Sequence, residues 1–415
     1  MKIETLTLEN YRGFRSLTLD LPQQCLLVGR NGSGKSTVVD AITIGLDHLV
    51  VNLMASTAWS QQWGLVDEDI HHDEGMLAAT LHLDRGQVVT TLERGDDPNL
   101  NHQGVVKCSI DTDSLPILLS CRPNRLFHPF GPAPDAASFP HTMLRRVSEA
   151  LWMSLLAGPD TFGQVVPWFR REENAENETR LRRDPAYRHR SLEVVRSALT
   201  TFLNGLGTGA YVNPRISRVD ARGNSFVSAT DGALVFDKDG QPITITQLSD
   251  GERTTLLMVM DIARRLVIAN PKDDPLQGTG IVLIDEVELH LHPAWQRAVL
   301  PALFATFPNI QFIATTHSPQ VLASVPSECV RILENFQAYP VGHTEGRDSN
   351  ALLREIFDVP ERPQPALDKL ERVAALIDAE DFAAARAALA ELRDALSAQD
   401  GEVVRLQSLL AFLEA

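Results

Sequence analysis

Residues 24–37 have the sequence QCLLVGRNGSGKST, an apolar run followed by a glycine-rich loop. Gly29, Gly34, Lys35 and Ser36 fit the pattern G-x-x-x-x-G-K-[S/T], which requires a buried strand before the loop and a helix after it. In such a loop the backbone N–H groups surround phosphates, the lysine neutralises phosphate oxygens and the serine hydroxyl ligates Mg²⁺. Because strand, spacing and helix agree, the stretch predicts an α/β fold with a phosphate site.

Two later apolar runs end in polar residues that suit the same site. Residues 281–284 (IVLI) precede Asp285 and Glu286, and residues 311–314 (QFIA) are followed by TTHS, which contains His317. Parallel sheets bind ligands at the carboxyl ends of their strands. We therefore expect Asp285 to hold Mg²⁺ through water, Glu286 to orient or deprotonate the attacking water, and His317 to donate a hydrogen bond to the γ-phosphate.

The hexapeptide LSDGER, residues 248–253, precedes an apolar helix predicted from Thr254 to Ile268. Ser249 or Asp250 can cap that helix, which on these six residues alone is the simpler interpretation. The alternative is that the free N–H groups of the helix N-terminus hold a phosphate. The hexapeptide by itself leaves both interpretations open.

The composition bounds the class of protein. The chain has 415 residues, of which 44% are hydrophobic, so it can bury a large core in two or three structural units. An N-terminal strand pattern without an apolar leader, and the lack of a long apolar run, predict a cytoplasmic protein without membrane contact. The formal charge of −16 predicts that any DNA contact is local or made through a partner. Four scattered cysteines favour neither a zinc site nor a disulfide framework.

Strand and helix patterns predict a head with two insertions and a helical tail. The head covers residues 1–345, with a β-rich arm at about 54–121 and a helical and β insert at about 138–246. The predicted arm strands are 77–84, 87–93, 105–110 and 116–121, and the predicted insert helices lie near 140–157, 162–178 and 190–205. Beyond Gly280 strands and helices alternate, including one helix from Pro293 to Phe307, as in a parallel sheet.

The tail, residues 346–415, has three amphipathic segments separated by Pro360–Pro365 and Gln399–Gly401. Their leucine and valine stripes predict helices with one apolar face. Ordinary helix-bundle core is the favoured interpretation, and a partner-binding groove is the alternative.

Two further clusters of charged residues are assigned to structure. The arginines between Arg170 and Arg190 alternate with acidic residues, which favours a solvated helix face with ion pairs over a nucleic-acid surface. The pairs Asp111/Asp113 and Asp237/Asp239 are interpreted as turns. After His317 there is no strand that ends in Asp-x-Asp, so we expect no nuclease site in this chain.

The order GRNGSGKST, LSDGER, IVLIDEVELHLHP and ATTHS resembles the ABC-type ATPase head of SMC, RecF and OLD proteins over residues 1 to about 335. The resemblance implies an ATP hydrolase whose P-loop head has a mixed sheet, an antiparallel β arm and a helical signature lobe, plus a C-terminal helical unit. It makes Asp285 and Glu286 Walker B and His317 the switch histidine. It assigns ATP binding, as Walker A, to Gly29, Arg30, Asn31, Gly32, Ser33, Gly34, Lys35, Ser36 and Thr37.

The resemblance also implies a homodimer that encloses two ATP molecules. The signature of each chain would then contact the ATP bound by the other, through Leu248, Ser249, Asp250, Gly251 and Glu252. Asp250 replaces the more usual glycine, and a carboxylate there disfavours a phosphate unless it points away. ENYRGF is similar to the start of RecF-like heads, which places Arg12 near the nucleotide. Gln164 is the candidate glutamine ligand of Mg²⁺, beside Ser36 and Asp285.

Three longer stretches resemble the OLD-like ATPase subunit, PtuA, of Septu and related retron anti-phage systems: WFRREENAENETRLRRDPAYRHRSLEVVRSAL, LHP after Walker B, and GRDSNALLREIFDVPERP with the helices beyond it. This resemblance implies ATP and Mg²⁺ as cofactors, a separate HNH nuclease as partner, and a higher homo-oligomer. A RecF- or SMC-like repair or chromosome ATPase is the alternative. The long stretch between Lys35 and Ser249 counts against a transporter ATPase.

Overall fold

A computed structural model describes residues 1–53, 69–71, 76–93, 102–108, 116–121, 162–207, 211–218, 232–271 and 273–414. These residues form two compact units, Met1–Arg347 and Asp348–Ala415. The helix predicted near 140–157 and the turn at Asp111/Asp113 lie outside the described residues.

The strands are β1 (Ile3–Tyr11), β2 (Phe14–Asp20), β3 (Gln24–Val28), β4 (Met76–Leu83), β5 (Gly86–Glu93), β6 (His102–Cys108), β7 (Ile117–Cys121), β8 (Tyr211–Ser217), β9 (Ala233–Lys238), β10 (Gln241–Thr244), β11 (Gly280–Ile284), β12 (Ile310–Thr316), β13 (Val330–Glu334) and β14 (Gln337–Pro340). The helices are α1 (Lys35–Leu53), α2 (Val165–Arg182), α3 (Arg190–Leu206), α4 (Asp250–Ala269), α5 (Pro293–Gln296), α6 (Val299–Thr306), α7 (Pro319–Leu322), α8 (Ser349–Phe357), α9 (Gln364–Asp378), α10 (Phe382–Leu396) and α11 (Gly401–Leu413).

The first unit is organised around a six-stranded mixed sheet with the order β14-β13-β3-β12-β11-β7. Five of these strands are parallel, and β14 is the antiparallel edge strand. The strands β7, β11 and β12 are buried along their whole length, as expected for apolar runs covered on both faces of a sheet. Parallel pairing places the carboxyl ends of β3, β12 and β11 side by side, which confirms the predicted fold class.

Two elements differ from the sequence-based expectation. The strand predicted at 116–121 forms as β7, but it belongs to the central sheet beside β11 and not to the arm. Its five residues are all buried, so they satisfy the apolar environment of the central sheet. The single helix predicted from Pro293 to Phe307 is interrupted at Arg297 and Ala298, which separate α5 from α6. The cause is local, since the N–H of Ala298 bonds to Trp295 O with the tighter spacing of a turn.

The arm and the N-terminal hairpin form one antiparallel sheet with the order β2-β1-β4-β5-β6. Helix α1 lies between this sheet and the central sheet, with contacts to β4, β5 and β12. The described side chains of α1 after Thr37 are almost all buried. The helix is thus covered from both faces, and its polar residues Asp40, Thr43 and Asp47 are buried together with the apolar ones.

A buried glutamine joins the two sheets. Gln311, in β12, is fully buried. Its Oε1 accepts a hydrogen bond from Ile3 N (2.8 Å), and its Nε2 donates to the carbonyls of Ile3 (2.8 Å), Leu21 (3.1 Å) and Pro22 (3.1 Å). One side chain therefore satisfies the backbone at the start of β1 and at the end of the β1–β2 hairpin, where the antiparallel sheet crosses the central sheet.

The insert consists of α2, α3 and a three-stranded antiparallel sheet, β10-β9-β8, which precede α4. Its charged residues are only partly a solvated face. Arg182 pairs with Glu178 at the surface, but Glu173 and Glu176 are buried. Glu176 accepts from His189 N (2.8 Å) and pairs with Arg196, so it ties α2 to the start of α3.

The second unit contains α8 to α11. The three amphipathic helices predicted for the tail are confirmed as α9, α10 and α11. The first of them begins within the predicted Pro360–Pro365 break, at Gln364, and Pro365 lies in its first turn. They share a core of Val373, Ile377, Ala385, Ala388, Leu389, Leu392, Val403, Leu406 and Leu410. Within the described parts of both units, no helix combines the length and the hydropathy needed to span a bilayer.

We expect Gln311→Leu to lower the free energy of unfolding by about 2–4 kcal/mol, because the apolar side chain leaves one backbone N–H and several carbonyls unsatisfied in a buried place. Denaturant titration of the wild type and the variant measures the difference. Asn309→Ala is the matched control, since Asn309 is an exposed amide near the start of the same strand that bonds to Gln277 O. Equal losses in both variants would contradict the role of Gln311.

Candidate active site

The phosphate loop connects the carboxyl end of β3 to the first turn of α1. The residues at its tip, Arg30, Asn31 and Gly32, are exposed, whereas Lys35 is 5% exposed. Gly34 has φ 98°, and a Cβ there would lie 2.5 Å from the ring of Phe14. Only glycine fits that position, so the hairpin between β1 and β2 helps to shape the loop.

Lys35 lies inside this loop. Its Nζ donates to the carbonyls of Gly29 (2.8 Å) and Arg30 (2.9 Å), so the ammonium group is held within the curve of the backbone. A buried ammonium at this position neutralises an anion that the loop N–H groups surround.

The two predicted metal-side residues, Ser36 and Asp285, come together. Ser36 Oγ donates to Asp285 Oδ1 over 3.3 Å, and Asp285 is 4% exposed. A hydroxyl and a carboxylate at the edge of a phosphate loop are hard oxygen donors. They fit Mg²⁺, which takes one or two protein oxygens and completes its shell with phosphates and water.

Thr315 links the strand ends, and the sequence analysis did not identify it. Thr315 Oγ1 donates to Asp285 Oδ1 (2.7 Å) and accepts from Glu286 N (2.8 Å). Glu286 has φ 56°, a left-handed conformation that a glutamate rarely adopts. The hydroxyl of Thr315 therefore fixes the carboxylate of Asp285 and the backbone from which the Glu286 side chain projects. In the sequence, the only indication of this role of Thr315 was its position two residues before His317.

His317 follows β12 at the same edge of the sheet and is half-buried. Burial, and then the nearby Lys35 ammonium, lower the pKa of His317 below its ordinary value, while Glu288 and Asp285 act in the opposite direction. The imidazole is therefore neutral at physiological pH, with one N–H available to a phosphate oxygen. The contacts of its backbone with Glu288 were also not anticipated from the sequence.

The hexapeptide LSDGER forms the start of α4. Ser249 is the N-cap: its Oγ accepts from Glu252 N (3.4 Å), and Glu252 Oε2 accepts from Ser249 N (3.1 Å). This capping box confirms the simpler of the two interpretations for the hexapeptide, and both Ser249 and Asp250 remain exposed. The Asp250 carboxylate pairs with Arg253 at 2.7 Å, so its charge has a partner on the same helix.

Two residues of the insert hold the other side of Glu252. Tyr211 OH donates to Glu252 Oε1 (2.6 Å), and Lys238 Nζ lies 3.6 Å from the same oxygen. Burial raises the pKa of Glu252, but the hydrogen bonds from Tyr211 and Ser249 outweigh it and bring this pKa below the ordinary value. The carboxylate therefore stays ionised, and the small sheet β8–β10 fixes the start of α4.

The remaining candidate residues lie outside the phosphate loop and the strand ends. Arg12, in the β1–β2 turn, donates to Asp69 Oδ1 (2.7 Å) and to Asp40 on α1, and its contact with a nucleotide stays a prediction. Gln164 is the exposed N-cap residue of α2, and its role as a metal ligand also stays a prediction. Asp237 lies in strand β9 and not in a turn as expected, whereas Asp239 is in the turn that follows; Asp237 is held by Arg215 at 2.8 Å, which suits a structural carboxylate.

Two family models match the chain. The family described as "AAA ATPase domain" matches residues 1–74, and the family described as "AAA domain, putative AbiEii toxin, Type IV TA system" matches residues 166–323. The first match includes the phosphate loop. The second includes the LSDGER hexapeptide and the ends of β11 and β12.

The chain is 30% identical over 428 residues to the "Retron Ec83 probable ATPase" of Escherichia coli, a match that covers 88% of this chain and 77% of that relative. It is 39% identical over 92 residues to "Septu protein PtuA" of Bacillus mycoides (strain KBAB4), covering 22% of this chain and 13% of that relative. Of the solved structures, "SMC head domain from Thermotoga maritima" has a TM-score of 0.44 at 17% identity, covering 82% of this chain and 100% of that chain. The first match extends over most of both chains.

We expect Glu286→Gln to leave ATP affinity within about threefold of the wild type and to lower turnover at least about 100-fold, because the amide cannot take a proton from water. Phosphate release and titration with a fluorescent ATP analogue measure the two effects. Lys35→Ala is the contrasting control, which should lose affinity since the phosphates lose their cation. Turnover of Glu286→Gln near the wild-type rate would reject the assignment of Glu286.

Proposed function

We propose, since the chain belongs to the family of the retron ATPases, that it hydrolyses ATP to control a separate HNH-type nuclease within an anti-phage defence complex. This family lies among the ABC-type ATPases of the SMC and RecF group. ATP hydrolysis is the general activity, and the nuclease is the partner that we propose this activity serves.

The observation that carries the catalytic part is the hydrogen-bonded set Ser36, Asp285, Thr315 and Glu286. The loop N–H groups and Lys35 bind the phosphates, and Glu286 orients and deprotonates the attacking water. His317, neutral and half-buried, donates to the γ-phosphate. Ser36 and Asp285 would hold Mg²⁺, which would supply charge neutralisation for the phosphates.

We place the second half of each site on another copy of the chain. Ser249 and Asp250 are exposed at the start of a 20-residue helix, and the neighbouring Leu289 and His290 are exposed as well. A capped helix start that is open to solvent suits a contact with the γ-phosphate of a second molecule. The pairing of Asp250 with Arg253 supports this arrangement, because it reduces the repulsion between the carboxylate and a phosphate.

The second unit is proposed to dock the nuclease or to assemble heads beyond the dimer. Its helices α9 to α11 enclose their own core, and Phe412 at the end of α11 is 78% exposed. Phosphodiester cleavage is assigned to the partner, because the sequence after His317 contains no strand that ends in Asp-x-Asp. This division of labour follows the resemblance to the Septu ATPase.

A RecF- or SMC-like DNA repair or chromosome ATPase is the second candidate. The ENYRGF hairpin favours it, because Phe14 contacts the phosphate loop at Gly34, at the place where RecF-like heads begin. Duplex DNA added without any partner distinguishes the two: a repair ATPase gains turnover with DNA, whereas the defence subunit gains it only with its nuclease.

For the two-chain site, we expect Ser249→Arg to bind ATP normally and to lose turnover, because a bulky cation replaces the small hydroxyl at the mouth of α4. In a mixed dimer, the intact Lys35 of the Ser249→Arg chain meets the intact Ser249 of a Lys35→Ala chain, so each mixed dimer should have at most one competent composite site. Phosphate release as a function of the mixing ratio measures this recovery. Thr254→Arg, also exposed on α4, is the matched control. Normal hydrolysis by Ser249→Arg alone would reject the sandwich.

For the partner, we expect a chain that ends at Pro363, before α9, to hydrolyse ATP but to lose the HNH protein encoded beside it in co-purification. Size-exclusion chromatography of the shortened and full chains, each co-expressed with that protein, measures the loss. An aggregated, inactive product would instead show that the leucines of the tail cover the head. Exposing those leucines to water would then cost on the order of several kcal/mol, in proportion to the apolar area uncovered. Retention of the nuclease by the shortened chain would reject docking through this unit.

A further inference from the structure

Glu288 binds the end of β12 with both carboxylate oxygens. Its Oε1 accepts from the backbone N–H of His317 at 2.5 Å, and its Oε2 accepts from the hydroxyl of Thr316 at 2.7 Å. The same hydroxyl accepts from Ser318 N at 3.0 Å. The glutamate therefore holds three consecutive residues, including the one whose imidazole is assigned to the γ-phosphate.

These hydrogen bonds are short and connect different segments of the chain. Glu288 lies in the stretch that follows β11, and His317 lies in the stretch that follows β12. Charge-assisted bonds of this length are stronger than bonds between neutral groups. His317 itself lies outside the paired strand, since β12 ends at Thr316. The carboxylate of Glu288 thus holds the backbone from which the imidazole of His317 projects.

The segment Val287–Leu291, which we call the connector, also reaches the signature helix. Val287 N donates to Thr315 O (3.1 Å), and Leu291 N donates to Glu288 O (3.0 Å). At its far end, a Cβ on Gly251 would lie 2.2 Å from His290 O, so the connector is in direct contact with the start of α4. The connector is hydrogen-bonded to β12 at one end and touches the start of α4 at the other.

We propose that Glu288 is a positioning residue, which sets His317 for the γ-phosphate and, through the connector, keeps this histidine in register with the signature that the chain presents to its partner. The inference rests on the proposed ATPase mechanism. Glu288 is not assigned a contact with the nucleotide, and it acts through the backbone of His317.

A purely structural role and a positioning role make different predictions. If Glu288 only stabilised the fold, its loss would lower the free energy of unfolding and leave the turnover of the folded molecules unchanged. If it positions His317, ATP affinity persists, because Lys35 and the loop supply it, while turnover falls. Misplacement of a catalytic group by about 1 Å costs on the order of 100-fold in rate.

The test compares Glu288→Ala, Glu288→Gln and the control Glu4→Ala, which makes the same change at an exposed position of β1. We expect Glu288→Ala to keep its affinity for a fluorescent ATP analogue and to lose about 10- to 100-fold in kcat. Glu288→Gln should recover most of the rate, because its Oε1 still accepts from His317 N and its Nε2 bonds to the Thr316 hydroxyl. Glu4→Ala should match the wild type.

A wild-type kcat in folded Glu288→Ala would overturn the inference, and so would a Glu288→Gln variant as slow as Glu288→Ala. If Glu288→Ala does not fold, Thr316→Val removes the hydrogen bond to Glu288 Oε2, together with the one from Ser318 N, without changing side-chain size. A moderate loss of kcat at unchanged affinity then supports positioning, and an unchanged kcat rejects it. Failure of the ATPase proposal is recognised separately, since wild type and Glu286→Gln would then release phosphate equally.

Discussion

The parallel pairing of β3, β12 and β11 is the constraint on which the site depends. It places Ser36, Thr315 and Asp285 within hydrogen-bond distance although they are far apart in the sequence. A shift of β12 by one residue would turn Thr315 to the opposite face of the sheet, away from Asp285. The complete burial of β11 and β12 on both faces opposes such a shift, because every displaced side chain would have to fit a differently shaped place in a close-packed interior. Hydrophobic burial thus fixes the geometry of a polar site.

The antiparallel sheet contributes to the same site from the other side of α1. Its β1–β2 turn contacts the phosphate loop through Phe14, and its start is attached to β12 by Gln311. Both attachments are polar or aromatic contacts between elements distant in sequence. The arm strands β4–β6 extend this sheet outward without entering the central one. Among the described residues, β1 and α1 connect the arm strands to the phosphate loop by a short path through buried side chains.

The sequence was sufficient for those parts of the site that depend on local spacing. Gly29 to Ser36, the Asp285–Glu286 pair and the LSDGER hexapeptide are each contiguous, and each is next to an apolar run whose period identifies the strand or helix. Thr315 and Glu288 could not be found in this way, because their roles come from contacts across strands. Similarly, β7 was assigned to the arm since its pattern is that of any buried strand, and only pairing with β11 decides its sheet. The interruption between α5 and α6 results from local hydrogen bonds, which cannot be predicted from hydrophobic periodicity.

The signature illustrates how a structural and a functional interpretation can hold for the same residues. Ser249 caps α4, and its hydroxyl donates to Glu252 Oε2 at 2.8 Å. Tyr211 of the insert donates to the other oxygen of that carboxylate, so the insert helps to hold the partner of the Ser249 hydroxyl. Gly251 touches the connector at His290, so the start of α4 and the segment that carries Glu288 are in direct contact. In the proposed dimer, this contact would join the two halves of the composite site within each chain, by a helix start and five residues of backbone.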